Sequence, residues 1–444
     1  MIQMKRRFFT LLAVASLFAA TFSASAQEVT LTIATVDNAD MIRMQQLSSH
    51  FTDDHPNIAL NWVTLDETIL RQRVSTDIAT GGGRFDIVTI GTYGVPIWSE
   101  RGWLAPLDDM PDGYNVADIL PAIRKGLSVN DTLYAAPFYG ESSFTMYRTD
   151  LFEQAELQMP REPTWDQIKE FAAALHDPDN EVYGICLRGQ PGWGENMALL
   201  TAMANSYGAR WFDENWQPQF DSEAWANTLN DYLMLLKEYG PPEAWSNGYN
   251  ENLELFQNGK CGMWVDATVA ASSITNPERS TVAASVGFAL APDNGLGKRS
   301  NWLWAWALAV SAGSQQQEAA TTFIAWATSQ DYTQLVAEQE GWANVPPGTR
   351  ASLYETPEYL DAASFAEMTL ASIQAADPEN PTVEDVPYTG IQFVAIPEFQ
   401  SIGTAVGHRF AKALEGVISG ERALDDAQWV TEKVIERTRF LAEE

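Results

Sequence analysis

The stretch NWLWAWALAV, Asn301 to Val310, sets Trp302, Trp304 and Trp306 at alternate positions, with Leu303, Ala305 and Ala307 between them. Alternation is the strand period, so a strand here carries three indoles on one face and small residues on the other. An indole face is electron-rich and apolar, which suits the C–H face of a sugar or polyol. The hydroxyls at the edge of such a ligand need fixed partners, because a buried unpaired hydroxyl costs about 1–3 kcal/mol. Carboxylates, Asn, Gln and Arg are the natural partners. Trp302 and Trp304, at the start of the strand, are the candidates for stacking; Trp306, deeper in it, is expected in the core. An aromatic surface ringed by carboxylates would also accept a polyamine through cation–π contact. Arg188 and the many hydroxyl-matching groups tilt the reading towards a neutral polyhydroxy solute.

Other chemistries leave little trace. Gly81-Gly82-Gly83 is not followed by Lys-Ser or Lys-Thr and reads as a helix stop; no G-x-G-x-x-G follows a strand, and neither H-E-x-x-H nor G-x-S-x-G is present. His50 and His55 are not spaced to share one helical face. DPDNEVYG, from Asp177, has Val182 and Arg188 where a calcium loop needs Gly and Glu. No metal, cofactor or catalytic residue is therefore expected. A secreted carbohydrate-active enzyme is the alternative of another class, with Glu141 and Asp266 as the carboxylates to test, although nothing fixes their spacing. Cys186 and Cys261 both sit in strand-like runs; a disulfide and two buried thiols stand as equal readings.

The elements that must position these residues alternate strand and helix. Val29 to Val36, Ile58 to Leu65 and Phe85 to Gly91 read as strands, separated by helical runs. The pattern resumes after residue 139, with a T-x-x-Q capping box at Thr164 and Gln167. This implies an α/β chain of two lobes, each a mostly parallel sheet flanked by helices, with a ligand cleft between them. In open α/β sheets ligands bind beyond the carboxyl ends of the strands. That rule selects Asp37 and Asn38, Thr92 and Tyr93, Arg188 with Trp193 and Asn196, and Asp266. Asn301 precedes the tryptophan strand.

The ends and the charge bound the setting. Lys5, Arg6 and Arg7, an apolar stretch from Phe8 to Phe22, and Ala24-Ser25-Ala26 read as a signal peptide over 1–26, cleaved after Ala26. Gln27 rather than Cys follows, which argues against a lipid anchor, and no later stretch is long and apolar enough to span a bilayer. The formal net charge of −32 opposes nucleic acid and anionic membranes but not a neutral solute. A periplasmic monomer without a stable membrane anchor is expected.

With these residues assembled, the chain resembles the extracellular solute-binding proteins of ABC importers, the group that includes maltose-binding protein. The stretches FDIVTIGTYGVPIWSERGWLAPLDD, LYAAPFYGESSFTMYRTDLFEQAEL, PTWDQIKEFAAAL, ELFQNGKCGMWVDA and AATTFIAWATSQDYTQLVAEQEG carry the resemblance. RGQPGWGEN, NWLWAWALAVS and VPYTGIQFVAIPEFQSIG look most like the branch that takes up sorbitol and mannitol. The resemblance implies a periplasmic receptor that closes its lobes over a sugar alcohol or monosaccharide and delivers it to membrane subunits of the importer. The same fold with an oligosaccharide or a polyamine is the alternative. By matching positions, it adds Glu141, at the first lobe crossing, Tyr388 and Gln392 to Asp37, Asn38, Thr92, Tyr93, Arg188, Trp193, Asp266, Trp302 and Trp304. Asp266 and Arg188 would hold hydroxyls, and Trp302 and Trp304 would stack. Trp342 and Asn344 depart from the plainer loop common in the group, so the pocket would be shaped there instead if these residues reach it. The implied lobes are 28–138 with 267–325, and 139–266 with 326–444.

Overall fold

The computed structural model describes residues 29–81 and 83–443. The signal-peptide segment 1–26 and Gly82 of the glycine run lie outside the described residues.

The first sheet begins with β1 (Val29–Val36), which runs parallel to both β2 (Ile58–Leu65) and β3 (Ile87–Gly91). Its inward residues Leu31 and Ile33 are fully buried. Helices enter from capped turns, as the polar residues at the strand exits demand. Asn38 Oδ1 accepts the Met41 N–H at 3.0 Å, and Asp66 accepts from the N–H groups of Thr68 and Ile69 to start the helix Glu67–Ala79. A small hairpin of β4 (Ser128–Val129) and β5 (Thr132–Leu133) leads into β6 (Ala136–Glu141). After Ser142 the chain is already in a second sheet, as β7 (Ser143–Arg148). That sheet adds β8 (Tyr183–Cys186), β9 (Cys261–Ala267) and β10 (Val286–Leu290) before β11 (Trp304–Val310) returns to the first. The orders are β2-β1-β3-β11-β6 and β10-β7-β9-β8.

This is the two-lobed fold expected, but both sheets are mixed rather than mostly parallel. β11 is antiparallel to β3 and β6, and β7 is antiparallel to β9 and β10. The reason is the crossings. A strand that arrives from the other lobe enters its sheet at the cleft and runs away from it, whereas β1, β3, β8 and β9 run towards it. The expected boundaries also shift. β10 pairs with β7, so the stretch 267–325 does not sit wholly with the first sheet. Arg350 donates to the Thr328 carbonyl at 3.0 Å and Ser352 bonds Asp118, so the start of 326–444 stays with the first sheet. The helix Ala366–Gln374 then packs on β7 and β10. The capping box at Thr164 forms as expected. Cys186 and Cys261, both fully buried, are joined by a disulfide. No helix among the described residues is long and apolar enough to cross a membrane.

Candidate ligand-binding site

The first sheet builds one wall from cross-strand pairs. In the β11–β6 register Trp304 lies opposite Glu141 and Trp306 opposite Tyr139, so these four side chains project from one face. On the other flank Trp306 lies opposite Gly91, the last residue of β3. The Trp304 ring occupies the space a side chain would take there: a Cβ on Gly91 would stand 1.9 Å from Trp304 Cζ2. Trp304 and Trp306 meet at 5.4 Å between ring centroids, nearly perpendicular. One expectation changes: the strand begins at Trp304, so Trp302 sits in the segment before it. Trp306 is buried in the core as expected and also lines the cavity.

The second sheet supplies the charged wall. Arg188 follows β8, and its Nε donates to both oxygens of Asp266 in β9, at 2.9 and 3.1 Å, while Nη2 donates to Oδ1 at 2.6 Å. Asp266 also accepts from Trp264 Nε1 at 3.0 Å and from the Ala267 N–H at 2.6 Å. It is fully buried and does not line the cavity. Its expected direct role is therefore corrected: its lone pairs are taken, and it fixes the guanidinium that does reach the cavity. Arg188 Nη1 donates to the Gly194 carbonyl at 2.9 Å and stands 3.5 Å from Glu195. Its guanidinium carbon lies over the Trp302 and Tyr249 rings, 5.5 and 5.2 Å from their centroids.

The helix Glu67–Ala79 closes a third side. Arg71 donates from Nη2 and Nε to Glu67 Oε1 at 2.6 and 2.9 Å, an i,i+4 pair. Its guanidinium carbon lies 3.9 Å from the Trp193 ring centroid and 4.9 and 4.8 Å from those of Trp304 and Trp306. Among the described residues Glu141 has no cation at ion-pair distance, and Glu195 shares Arg188 with Asp266. Burial pushes each carboxyl up to about 8; Arg188 pulls back, and the neighbouring Glu67 and Asp266 push further. At neutral pH both are largely protonated, so each offers an O–H as well as a C=O. That combination matches hydroxyl groups, which donate and accept at once.

Eight of the expected residues line this one cavity: Asp37, Asn38, Glu141, Arg188, Trp193, Trp302, Trp304 and Gln392. Asn38 also donates to Tyr139 Oη at 2.9 Å, so it caps a helix and orients a wall residue together. Gln392 Nε2 donates to the Leu303 carbonyl at 2.8 Å; its Oε1 and the Trp193 Nε1 are buried without a partner among the described residues. Thr92, Tyr93 and Tyr388 lie elsewhere. Tyr93 donates to the Ile396 carbonyl at 2.9 Å and supports the Trp193 ring from behind, at 4.9 Å. Thr92 Oγ1 is buried without a partner among the described residues, and its methyl group fills the space a Cβ on Gly126 would take. Tyr388 Oη accepts the Trp211 N–H at 3.0 Å among Phe212 and Trp216. Asn196 and Asn301 spend their amides on the Gly407 and Ser372 carbonyls, and neither Trp342 nor Asn344 reaches the cavity.

Sequence reasoning missed Glu67, Arg71, Tyr139, Glu195, Tyr249 and Asn250, which also line it. The strand-exit rule applied to β2 finds Asp66 and Glu67, and helical spacing then leads to Arg71. Tyr139 is two residues before Glu141 on the same strand. No local signal marks Tyr249.

A cavity between two α/β lobes, walled by indoles and hydroxyl-matching groups, defines a receptor for a small solute. The model of the bacterial extracellular solute-binding protein family matches residues 38–334, and the chain belongs to that family. The chain is 56% identical over 411 residues to a mannitol-binding protein of Pseudomonas aeruginosa, covering 93% of this chain and 94% of that one. It is 62% identical to an ABC transporter solute-binding protein of Agrobacterium vitis S4 whose crystal structure contains D-mannitol; the match covers 92% of this chain and 99% of that one, with a TM-score of 0.92. A ribitol complex from Agrobacterium radiobacter K84, 24% identical with a TM-score of 0.81 over 92% and 99% of the two chains, shares the fold.

Proposed function

We propose that the protein captures a mannitol-type hexitol between its lobes and presents it to the membrane subunits of the importer. The observation that carries this reading is the pairing of a four-indole wall with a fixed Arg188 and two buried carboxyls, Glu141 and Glu195, in one cavity. The indoles take the C–H face of the carbon chain, and Arg188, Glu141, Asn38 and Gln392 take its hydroxyls. The mannitol named for two of the proteins above supports it. In this reading one lobe comprises 29–141 and 304–355 and the other 143–290 and 357–443, hinged at the segments between. Export to the periplasm follows cleavage after Ala26.

Asp266 is saturated by Arg188, Trp264 and Ala267, so the carboxylate pair that a glycosidase would use is not free. This favours binding over hydrolysis.

Melting the purified protein with mannitol, sorbitol, ribitol, maltose and putrescine tests the proposal, because a ligand specific to the folded state raises the melting temperature. Mannitol or sorbitol should give the largest shift. A larger shift with maltose or putrescine, or release of sugar from an added glycoside, overturns it.

A further inference from the structure

Two cavities meet at three side chains. The ligand cavity and a smaller chamber beside it share Arg71, Trp193 and Trp306, which therefore form the partition between them. The chamber holds about 30 Å³, room for one or two water-sized groups. Its remaining walls are partly polar. Thr89 Oγ1 is buried there without a partner among the described residues, and Ser75 Oγ donates to Gln400 Oε1 at 3.3 Å. Two members of the partition are held rigidly: Trp193 between Tyr93 and Phe399, Trp306 against Trp304. The third is not. Arg71 is a long side chain kept in place by Glu67 from its own helix and by the faces of the indoles.

We propose that Arg71 is the end wall that sets ligand length. With its guanidinium over Trp193, the cavity stops at a hexitol, a point that rests on the function proposed above. With Arg71 shortened or released, the cavity continues into the chamber, and Thr89 and Gln400 meet one further hydroxymethylene unit. Arg71 is thus a specificity-determining residue, and Glu67 is the residue that positions it.

Calorimetry with mannitol and with a seven-carbon alditol such as volemitol tests this on three proteins: wild type, Arg71→Ala and Glu67→Gln. Wild type should prefer the hexitol. Arg71→Ala should move the heptitol-to-hexitol affinity ratio by at least about tenfold towards the heptitol, the scale on which a pocket discriminates size. Glu67→Gln keeps the wall but loosens it, and should move the ratio the same way by less; it carries the test if the alanine variant does not fold. A merely structural role for Arg71 lowers both affinities together. An unchanged ratio in the variants, with hexitol binding intact in wild type, overturns the wall alone. A wild-type protein that binds no hexitol overturns the proposed function, and the wall with it.

Discussion

At Asp266 the carboxylate is satisfied from within, by a guanidinium, an indole N–H and a backbone N–H, so whatever it does for a ligand passes through Arg188. Asp266→Asn should then lose both affinity and stability, the latter by about 3–5 kcal/mol, because it strands a buried cation; melting and calorimetry on one variant check both. Glu141 and Glu195 make a second residue-scale prediction. Their carboxyls titrate near 8 when folded, against an ordinary value of 4.5. Between those values the folded state holds more protons than the unfolded one, so stability falls as pH rises. The ligand-free protein should melt highest below about pH 5 as far as these two groups govern it, and Glu141→Gln should flatten the decline up to pH 8. The sequence made the residue types legible and their division of labour illegible. Asp266 and Arg188 both stood at strand exits; which one faces the cavity depends on the neighbouring β9 backbone and Trp264, a tertiary matter. Tyr93 met the same rule and Tyr388 came from the resemblance; a backbone carbonyl and a backbone N–H far away in sequence took them.

At the scale of elements, the tryptophan wall depends on a glycine. Gly91 ends β3 where the Trp304 ring crosses it, and any side chain there would drive the ring into the cavity. Gly91→Ala should weaken solute binding by tenfold or more while leaving the sheet paired, as calorimetry and circular dichroism would show. Periodicity and caps made β1 to β3, the helix Glu67–Ala79 and the capping box at Thr164 readable in advance. The exit of β2 was equally readable. What periodicity does not carry is the irregularity of β6, whose register with β11 shifts between Trp306 and Ala307. That shift brings Tyr139 and Glu141 opposite the two indoles, and it arises only when both strands are present.

For the whole molecule, the chain passes from one sheet to the other at Ser142 and returns between Leu290 and Trp304. Such crossings between sheets fix strand direction, which is why the sheets are mixed and why the cleft receives the beginning of β11 but the ends of β8 and β9. Lobe membership of β10 was not legible, since a strand pattern names no partner. The net charge of −32 gives a test at this scale. A neutral solute feels no long-range field, so its affinity should hold as ionic strength rises from about 0.01 to about 1 M and the screening length falls from about 30 to about 3 Å. A steep loss of affinity would point instead to a cationic ligand.

Trp193, Trp302, Trp304 and Trp306 together give the cavity an optical property as well as a shape. Indole emission shifts in colour and yield with the polarity and the charges around it. Four of the sixteen tryptophans of the chain line this cavity, and three of them lie under one guanidinium. A solute that fills the cavity should therefore shift the indole emission, which titration with mannitol would show without a label.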